Sequence, residues 1–324
     1  MRKNGVDVRL VEFKKKNLLG KLMAVANSLW QTLVFRPDYF FCSHINFRPI
    51  ASFCSKIFKV PYILLTYGID VWGKPSESEK NFVENSKLAT TISNFTKNKL
   101  LNNYSGLENK IFILPNSIDI SEFYPKDKNK RLVEKYNLEG KKVIFTLTRL
   151  SALEKYKGYD KMIEALPAIL EKIPNIFYII GGSGDDRQRI LDLVEKRGLE
   201  NYIALVGYVR PEELVDYYNL CDVFAMPSKG EGFGFVFLEA LACGKPVIAG
   251  NQDGSIDAVL DGRVGVLVNP DNIDEISKAL IDVLSGNIDK KLVDSDFLIK
   301  TINEAYGIEK FNKKVILLIN ELQR

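Results

Sequence analysis

Short runs of β-branched and aromatic residues alternate with amphipathic segments along most of this 324-residue chain. Apolar residues in the intervening segments recur at i, i+3 and i+4, which is typical of helices with one buried face. Strands that are separated by helices pair in parallel through right-handed crossovers, and helices then cover both faces of the sheet. The pattern therefore predicts an α/β fold with parallel sheets.

The alternation occurs twice, and a charged, turn-rich stretch separates the two halves. We predict an N-terminal Rossmann-like domain over 1–125, a linker over 126–140 and a C-terminal domain over 141–308. A last helix within 309–324 is expected to pack back on the first domain. Two domains suit the length, since a domain takes about 150 residues. Because ligands bind at the carboxyl ends of parallel strands, two such units facing each other predict one cleft between them.

The individual elements follow from the same periodicities. In the first half we predict strands at 6–11, 39–42, 62–65, 88–92 and 111–114. In the second half we predict strands at 143–147, 177–181, 203–207, 223–226, 246–249 and 264–268. Helices of the second half are predicted at 160–173, 186–197, 211–220, 235–243, 273–284 and 309–321.

Charge is distributed unevenly along the chain. Residues 1–140 hold 22 Lys and Arg against 13 Asp and Glu, and residues 1–21 alone hold seven against two, so the first half favours an anionic partner. No aromatic-studded basic strand or zinc-finger spacing accompanies this charge, so nucleic acid is disfavoured. An anionic lipid surface beside the amphipathic stretch 22–35 is favoured, with a solvated helix face as an equal alternative.

The sequence also limits the cellular setting. The stretch 22–35 is interrupted by polar residues and is shorter than the roughly 20 residues that span a bilayer. The start carries no secretory signal, so we expect a cytoplasmic protein, peripheral on the inner face of the plasma membrane if the basic patch binds lipid. The four cysteines, Cys42, Cys54, Cys221 and Cys243, lie singly in apolar surroundings, which predicts reduced core thiols and no metal site.

The densest chemical signal is PSKGEGFGFVFLEALACGKPVIA, residues 227–249. A glycine-rich loop there follows a strand and opens a helix, whose free N–H groups and positive dipole end favour phosphate oxygens. Glu231 and Glu239 can accept hydrogen bonds from sugar hydroxyls, so the pattern predicts a nucleotide-sugar. A simple glycine turn is the alternative. The donor-binding candidates of this segment are Gly232, Phe233, Gly234, Phe235 and Glu239.

Three further loops follow predicted strands of the second half. Arg149 and Lys157 come after the strand 143–147, where a guanidinium and an ammonium can hold two phosphates. Gly182 lies in the turn GGSG, and Val209 in VGYV is a candidate wall for a nucleobase. Surface cations and ordinary chain reversals are the alternatives for these loops.

These motifs together resemble a known family. Arg149 with Lys157 and Gly158, then GGSG, then EGFGFVFLE and GKPVIA, are similar to the donor half of retaining family 4 (group 1) glycosyltransferases of the GT-B fold, in a bacterial branch. In the first half, VPYILLTYGIDVWG and ILPNSIDISEFYP resemble the acceptor domain. The resemblance covers nearly the whole chain and implies two facing Rossmann-like domains.

The resemblance implies an enzyme that transfers a sugar, with retention, from a UDP- or GDP-linked donor to a hydroxyl of a lipid-linked or polysaccharide acceptor. It implies cell-envelope glycan synthesis, such as that of lipopolysaccharide, without a metal or another cofactor. Arg149 and Lys157 would stabilise the leaving phosphate, Glu231 would hold the donor sugar, and Glu239 would hold the ribose.

The chain departs from the family pattern at two places. Tyr67 and Gly68 stand where family members usually have a His-Gly pair, so His44, Tyr67 and Asp70 are the acceptor-side candidates. The usual first strand with its glycine-rich loop is not found in the first domain. A second hypothesis is therefore a non-catalytic or truncated partner protein that binds nucleotide-sugars. A sugar epimerase or a phosphorylase of the same fold is a weaker hypothesis. An epimerase would need more catalytic acids and histidines around its base-binding site, and a phosphorylase would be expected to carry a cofactor lysine.

Overall fold

A computed structural model describes residues 2–3, 6–11 and 18–323. The chain divides into two compact units. The first comprises Met1–Thr91 and Lys97–Ile113, and the second comprises Ile92–Thr96 and Leu114–Arg324. Each unit contains its own parallel sheet, which confirms the predicted α/β class.

The sheet of the first unit has four parallel strands in the order β3-β4-β5-β6. An antiparallel pair of two-residue strands, β1 and β2, precedes it. The strands are β1 Arg2–Lys3, β2 Val6–Asp7, β3 Phe40–Cys42, β4 Tyr62–Thr66, β5 Leu88–Thr91 and β6 Ile111–Ile113. The helices are α1 Leu18–Phe35, α2 Arg48–Phe58, α3 Ile69–Trp72, α4 Glu77–Glu84 and α5 Asn94–Asn103.

The predicted strand 6–11 is wrong in length and in pairing. Only Val6–Asp7 is a strand, and it pairs antiparallel with Arg2–Lys3. Val8 and Leu10 are 64% and 78% exposed. These alternating apolar side chains are exposed, so the period-2 pattern here does not mark a strand with a buried face.

The second unit is built on six parallel strands in the order β12-β11-β10-β7-β8-β9. They are β7 Lys142–Leu147, β8 Ile176–Gly181, β9 Ile203–Gly207, β10 Val223–Met226, β11 Val247–Gly250 and β12 Val266–Val268. The chain moves outward from β7 through β8 to β9 and then returns to the other side of β7 as β10. The direction of winding reverses there, and ligands bind at such a switch point in open α/β sheets.

Helices cover this sheet on both faces. Successive side chains of β7 point to opposite faces of the sheet, and both faces are apolar. Val143 and Phe145 lie in one buried cluster, and Ile144 lies in the other. The helices are α6 Lys130–Lys135, α7 Tyr159–Lys172, α8 Arg187–Lys196, α9 Pro211–Leu220, α10 Phe235–Ala242, α11 Ser255–Ala258, α12 Ile273–Ser285, α13 Ser295–Tyr306 and α14 Ile308–Leu322.

The elements predicted for the second half agree with the structure to within two residues at each end. Helix α13 was not predicted. It begins where the Asp294 side chain accepts the N–H of Phe297, and it buries Leu298 and Ile302. Its apolar stripe is short and lies in a polar stretch, so the helical period is weak in sequence.

The predicted linker 126–140 contains α6 and packs on α9 of the second unit. The Lys126 side chain pairs with Asp216 at 2.5 Å, and the N–H of Lys126 donates to the side-chain oxygen of Asn219 at 2.9 Å. The last helix α14 is part of the second unit, and its packing on the first domain stays a prediction. Within 2–3, 6–11 and 18–323, the structure contains no helix with the length and apolar character that crossing a membrane requires.

Gly158 lies in the loop after β7 and packs closely against the loop after β10. Its φ is +84°, and a Cβ there would lie 2.1 Å from the carbonyl oxygen of Pro227. Gly158→Ala is expected to lower the free energy of unfolding by about 2 to 5 kcal/mol, from the left-handed backbone and the overlap together. Urea unfolding measures this loss.

Gly198→Ala is the matched control. Gly198 is also left-handed, with a φ of +65°, but a Cβ added there would have open space around it. It should lose only about 1 to 2 kcal/mol. Equal losses in the two variants would show that the contact with Pro227 is not close enough to matter.

Candidate functional site

An ion pair joins the loops that follow β7 and β10. The Nζ atom of Lys157, at the end of the 3-10 turn Lys155–Lys157, bonds to Oε1 of Glu231 in the glycine-rich loop. Both side chains are only 15% exposed, so salt screens this pair less than a surface pair. Two predicted catalytic residues therefore meet where the strand order reverses.

Arg149, the third predicted catalytic residue, is more exposed than the other two. Its side chain is 72% exposed and pairs with Glu154 at 3.1 Å. Burial, followed by the charges of Glu154 and Glu231, raises the pKa of Tyr156 to about 12, while Arg149 acts in the opposite direction. The Nζ atom of Lys157 lies 5.4 Å from the centre of the Tyr156 ring, and Arg149 lies in the same loop after β7. The three predicted catalytic residues are therefore in the loops that follow β7 and β10.

The glycine-rich loop ends at the start of α10. Gly234 has a φ of +98°, and no side chain caps the helix that begins at Phe235. Phe233 is buried edge-on against Tyr306, with ring centroids 5.1 Å apart, so its side chain anchors the loop. The first N–H groups of α10 lack a side-chain cap and can donate to an anion. A phosphate contact through these backbone amides stays a prediction.

Glu239 lies just over one turn into α10 and is half-buried. Its Oε2 atom accepts a hydrogen bond of 2.5 Å from the hydroxyl of Tyr218, a fully buried residue of α9. Burial raises the pKa of Glu239, and the bond from Tyr218 opposes that rise without cancelling it. Sequence reasoning did not find Tyr218, because no local pattern connects it with Glu239.

Gly182 and Val209, the other two donor-side candidates, differ in the groups that they could offer to a ligand. Gly182 has a φ of +131°, and a Cβ there would lie 1.7 Å from the carbonyl oxygen of Thr148, so the turn needs glycine. Val209 buries its side chain in the core and is 6% exposed, whereas the neighbouring Tyr208 is 69% exposed. A nucleobase contact by Val209 stays a prediction, and the geometry limits it to the main chain.

The acceptor-side candidates lie together in the first unit. His44 accepts the N–H of Asn46 on Nδ1 at 3.1 Å. Asp70 accepts the N–H groups of Tyr67 and Gly68 at 3.1 and 2.7 Å. Burial raises the pKa of Asp70, while the N–H bonds from Tyr67 and Gly68, and after them the effect of His44, act in the opposite direction. Tyr67 is 44% exposed, which leaves its ring accessible.

Asp253, in the loop after β11, is a second residue that sequence reasoning missed. Its carboxylate accepts the N–H of Glu231 and the hydroxyl of Ser228, both at 2.7 Å. Burial raises its pKa, against the effect of these hydrogen bonds. The sequence QDGS resembles an ordinary turn and does not indicate this contact.

The cysteines are buried thiols, as the sequence predicts. Burial raises the pKa of Cys42 to about 11 and those of Cys221 and Cys243 to about 12, so the neutral thiol is favoured. In the part of the chain that the structure describes, no group of three or more His, Cys, Asp or Glu side chains is arranged to hold a metal ion.

Comparison with known proteins gives a family match and several relatives. The family model described as "Glycosyl transferases group 1" matches residues 128–294. A GDP-mannose-dependent alpha-(1-6)-phosphatidylinositol monomannoside mannosyltransferase of Mycolicibacterium smegmatis is 32% identical over 206 residues, which cover 61% of this chain and 53% of that protein. The match thus spans about half of the relative's length. An uncharacterized glycosyltransferase of Methanocaldococcus jannaschii is 28% identical over 87% of this chain and 76% of that protein.

Solved structures share the fold at low sequence identity. The structure of Anabaena HepE in complex with UDP and glucose matches 98% of this chain and 87% of its own, with a TM-score of 0.80 and 18% identity. A glycosyltransferase of Rickettsia africae matches 98% of this chain and 85% of its own, with a TM-score of 0.81 and 19% identity. These likenesses confirm the expected GT-B fold.

Tyr218→Phe tests the bond that holds Glu239. At neutral pH the variant is expected to lose about 1.5 to 3 kcal/mol of unfolding free energy, the range for a hydrogen bond to a charged group. The pKa of Glu239 already lies above its ordinary value of 4.5, and loss of the donor raises it further. As the pH falls through this raised pKa, the carboxyl takes up a proton and the loss should shrink.

Urea unfolding at a series of pH values measures this dependence. Tyr208→Phe is the control, because Tyr208 is 69% exposed and its replacement should change stability by less than about 0.5 kcal/mol at any pH. A loss in Tyr218→Phe that does not vary with pH would contradict the assignment to Glu239.

Proposed function

Because this chain belongs to the glycosyl transferases group 1 family, we propose that it transfers a sugar from a nucleoside diphosphate sugar to a hydroxyl of a lipid-linked or polysaccharide acceptor in cell-envelope glycan synthesis. The observation that carries this proposal is the Lys157–Glu231 ion pair beside the uncapped start of α10. A relative named as GDP-mannose-dependent and a structural neighbour bound to UDP support a GDP- or UDP-linked donor.

The cations and amides would stabilise the leaving group. Negative charge develops on the diphosphate as its bond to the sugar breaks, and donors fixed in advance lower the energy of that state. Lys157 uses one of its three ammonium protons on Glu231, which leaves two for phosphate oxygens. Arg149 and the first N–H groups of α10 would share the same charge. These groups supply the positive charge that a metal ion supplies elsewhere, so we propose a metal-independent reaction without a cofactor.

The two glutamates would divide the donor between them. Glu231 would accept hydroxyls of the sugar, and Glu239, with its raised pKa and its Tyr218 contact, would accept hydroxyls of the ribose. In a retaining transfer, the bond from the anomeric carbon to phosphate breaks and a bond to the acceptor oxygen forms on the same face. The acceptor proton passes to an oxygen of the departing diphosphate, so no Asp or Glu needs to act as the nucleophile.

The first unit would hold the acceptor. His44 accepts a backbone N–H on Nδ1, so the proton of its neutral ring lies on Nε2 and can be donated. The carboxylate of Asp70 is engaged by the N–H groups of Tyr67 and Gly68, which fix this loop. The hydroxyl of Tyr67 and the Nε2–H of His44 are therefore the groups that we propose for binding acceptor hydroxyls.

We also propose that the protein docks on an anionic membrane surface at the inner face of the plasma membrane. Helix α1 contains no acidic residue, and its apolar residues Leu22, Met23, Trp30, Leu33 and Val34 are each at least 58% exposed. Such a surface inserts apolar groups among lipid head groups while nearby lysines attract anionic lipids. The basic residues Lys14, Lys15 and Lys16 lie outside the described residues, and the position of the Lys21 side chain is likewise not described.

Vesicle sedimentation tests this docking. Changing Lys14, Lys15, Lys16 and Lys21 to Gln should abolish binding to vesicles with anionic lipid, since each lysine contributes about 1 kcal/mol near such a surface. Changing Lys196, Lys278, Lys290 and Lys291, which are exposed in the second unit, alters net charge equally and should leave binding unchanged. Equal sedimentation with neutral and anionic vesicles would favour a solvated helix face.

The two glutamates should separate turnover from nucleotide binding. Glu231→Gln is expected to lower kcat on the order of 100-fold, as for loss of one group that stabilises the transition state, with little change in the dissociation constant of UDP or GDP. Glu239→Ala should weaken the nucleotide by about 1.5 to 3 kcal/mol. Calorimetric titration with UDP and GDP, and donor turnover with UDP- and GDP-sugars, measure the two effects.

Glu195→Gln, an exposed residue of α8, is the control and should change neither quantity. Equal losses of turnover and affinity in Glu231→Gln would contradict its contact with the sugar. Binding of UDP or GDP without any donor hydrolysis or transfer would instead support the second hypothesis, a non-catalytic nucleotide-sugar-binding protein.

A further inference from the structure

The loop after β11 buries a carboxylate that takes no part in the transfer described above. Asp253 is fully buried, and burial of a carboxylate costs free energy unless hydrogen bonds compensate for it. Its Oδ2 atom accepts the hydroxyl of Ser228 and the N–H of Glu231, and its Oδ1 atom accepts the N–H of Ser255 at 2.9 Å. These three donors belong to the segment that follows β11 and to the glycine-rich segment that follows β10.

Both main-chain polar groups of Glu231 are held by this loop. Asp253 accepts the N–H of Glu231, and the N–H of Gly254 donates to the carbonyl of Glu231 at 2.7 Å. The two backbones run in close contact, since a Cβ on Gly254 would lie 2.0 Å from the carbonyl oxygen of Gly232. Any displacement of the Glu231 backbone relative to this loop would break both hydrogen bonds.

We propose that Asp253 is a positioning residue, which holds the backbone of Glu231 so that the Glu231 carboxylate meets Lys157. The contact between Glu231 and Lys157 is present in the structure itself. Only the consequence for catalysis rests on the proposed function, because there the same carboxylate holds the donor sugar. Asp253 is fully buried and touches no substrate in this scheme, so it acts through Glu231.

The chemistry of the contact requires a carboxylate. Two backbone N–H groups, those of Glu231 and Ser255, point at different oxygens of Asp253. An asparagine has one acceptor oxygen, so its NH2 group would face one of these N–H donors, and that bond would be lost. The Ser228 hydroxyl can rotate to accept, but a backbone N–H cannot. Asp253→Asn therefore keeps the shape but removes either the bond to the Glu231 N–H or the bond to Ser255. Loss of the second bond also loosens Glu231, because it frees the loop whose Gly254 N–H binds the Glu231 carbonyl.

The test compares Asp253→Asn with Glu231→Gln in the full chain. Asp222→Asn is the matched control, because Asp222 also accepts a backbone N–H, that of Val143 at 2.7 Å, but at the amino ends of β7 and β10. Three quantities are measured: donor turnover, the dissociation constants of UDP and GDP, and the rate at which acetic anhydride modifies Lys157, followed by peptide mass spectrometry. The last readout needs no enzymatic activity.

We expect Asp253→Asn to lower kcat at least 10-fold with less than a threefold change in nucleotide affinity. In Asp253→Asn, Lys157 should be modified several times faster than in the unsubstituted protein, at a rate approaching that in Glu231→Gln. Asp222→Asn should change neither kcat nor the rate of Lys157 modification. Unchanged modification of Lys157 in Asp253→Asn would overturn the proposal. So would similar losses of turnover and affinity in both Asp253→Asn and Asp222→Asn, since these would indicate a general loss of structure.

The proposed function can fail separately. If no donor is turned over by any form of the chain, but Asp253→Asn still speeds modification of Lys157, then the positioning role stands and the transferase activity does not. Should Asp253→Asn not fold, Ser228→Ala removes the other donor to Oδ2 without changing the carboxylate. It should speed modification of Lys157 to a smaller degree, and an unchanged rate would again overturn the proposal.

Discussion

The reversal of strand order between β7 and β10 is the constraint on which the rest of the second unit depends. Parallel strands end at one edge of their sheet, and the loops on the two sides of a reversal lead to helices on opposite faces. The loop after β7 and the loop after β10 therefore border one crevice. Every charged group of the second unit that we assign to the donor lies in these two loops or in the helices that they open.

Charged side chains in such a crevice need neighbours that hold them in place. A half-buried side chain that moved freely would become hydrated, and its hydrogen bonds to a ligand would be weaker. Glu239 is fixed by the phenol of Tyr218, and Glu231 is fixed through its backbone by Asp253 and Gly254. Each glutamate thus has a buried partner from another element. The precision of the site comes from these partners as much as from the loop itself.

The sequence predicted most of the second unit and the identity of the groups at its edge. Strands such as Val223–Met226 are continuous apolar runs between turn residues, and that signal is local. The pair formed by Lys157 and Glu231 was not predicted, although each residue was, because 74 positions separate them. Tyr218, Asp253 and the buried side chain of Val209 were missed for the same reason, since contacts between distant segments leave no periodic pattern. The prediction of strand 6–11 failed in the opposite way, because the alternating pattern extends to Val11 whereas only Val6–Asp7 pairs with another strand, Arg2–Lys3.

The anchoring of Phe233 has a consequence for where a donor-binding fragment can be cut. The match of the family model ends at residue 294, yet the ring that supports the glycine-rich loop belongs to Tyr306, and the hydroxyl of Tyr306 donates to the carbonyl of Asp257 at 2.6 Å. Leu298 and Ile302 of the same helix complete the core behind α10. The boundary of the matched family model thus falls inside a packed core. A transplant of the nucleotide-binding half into another glycosyltransferase would need to carry α13 with it.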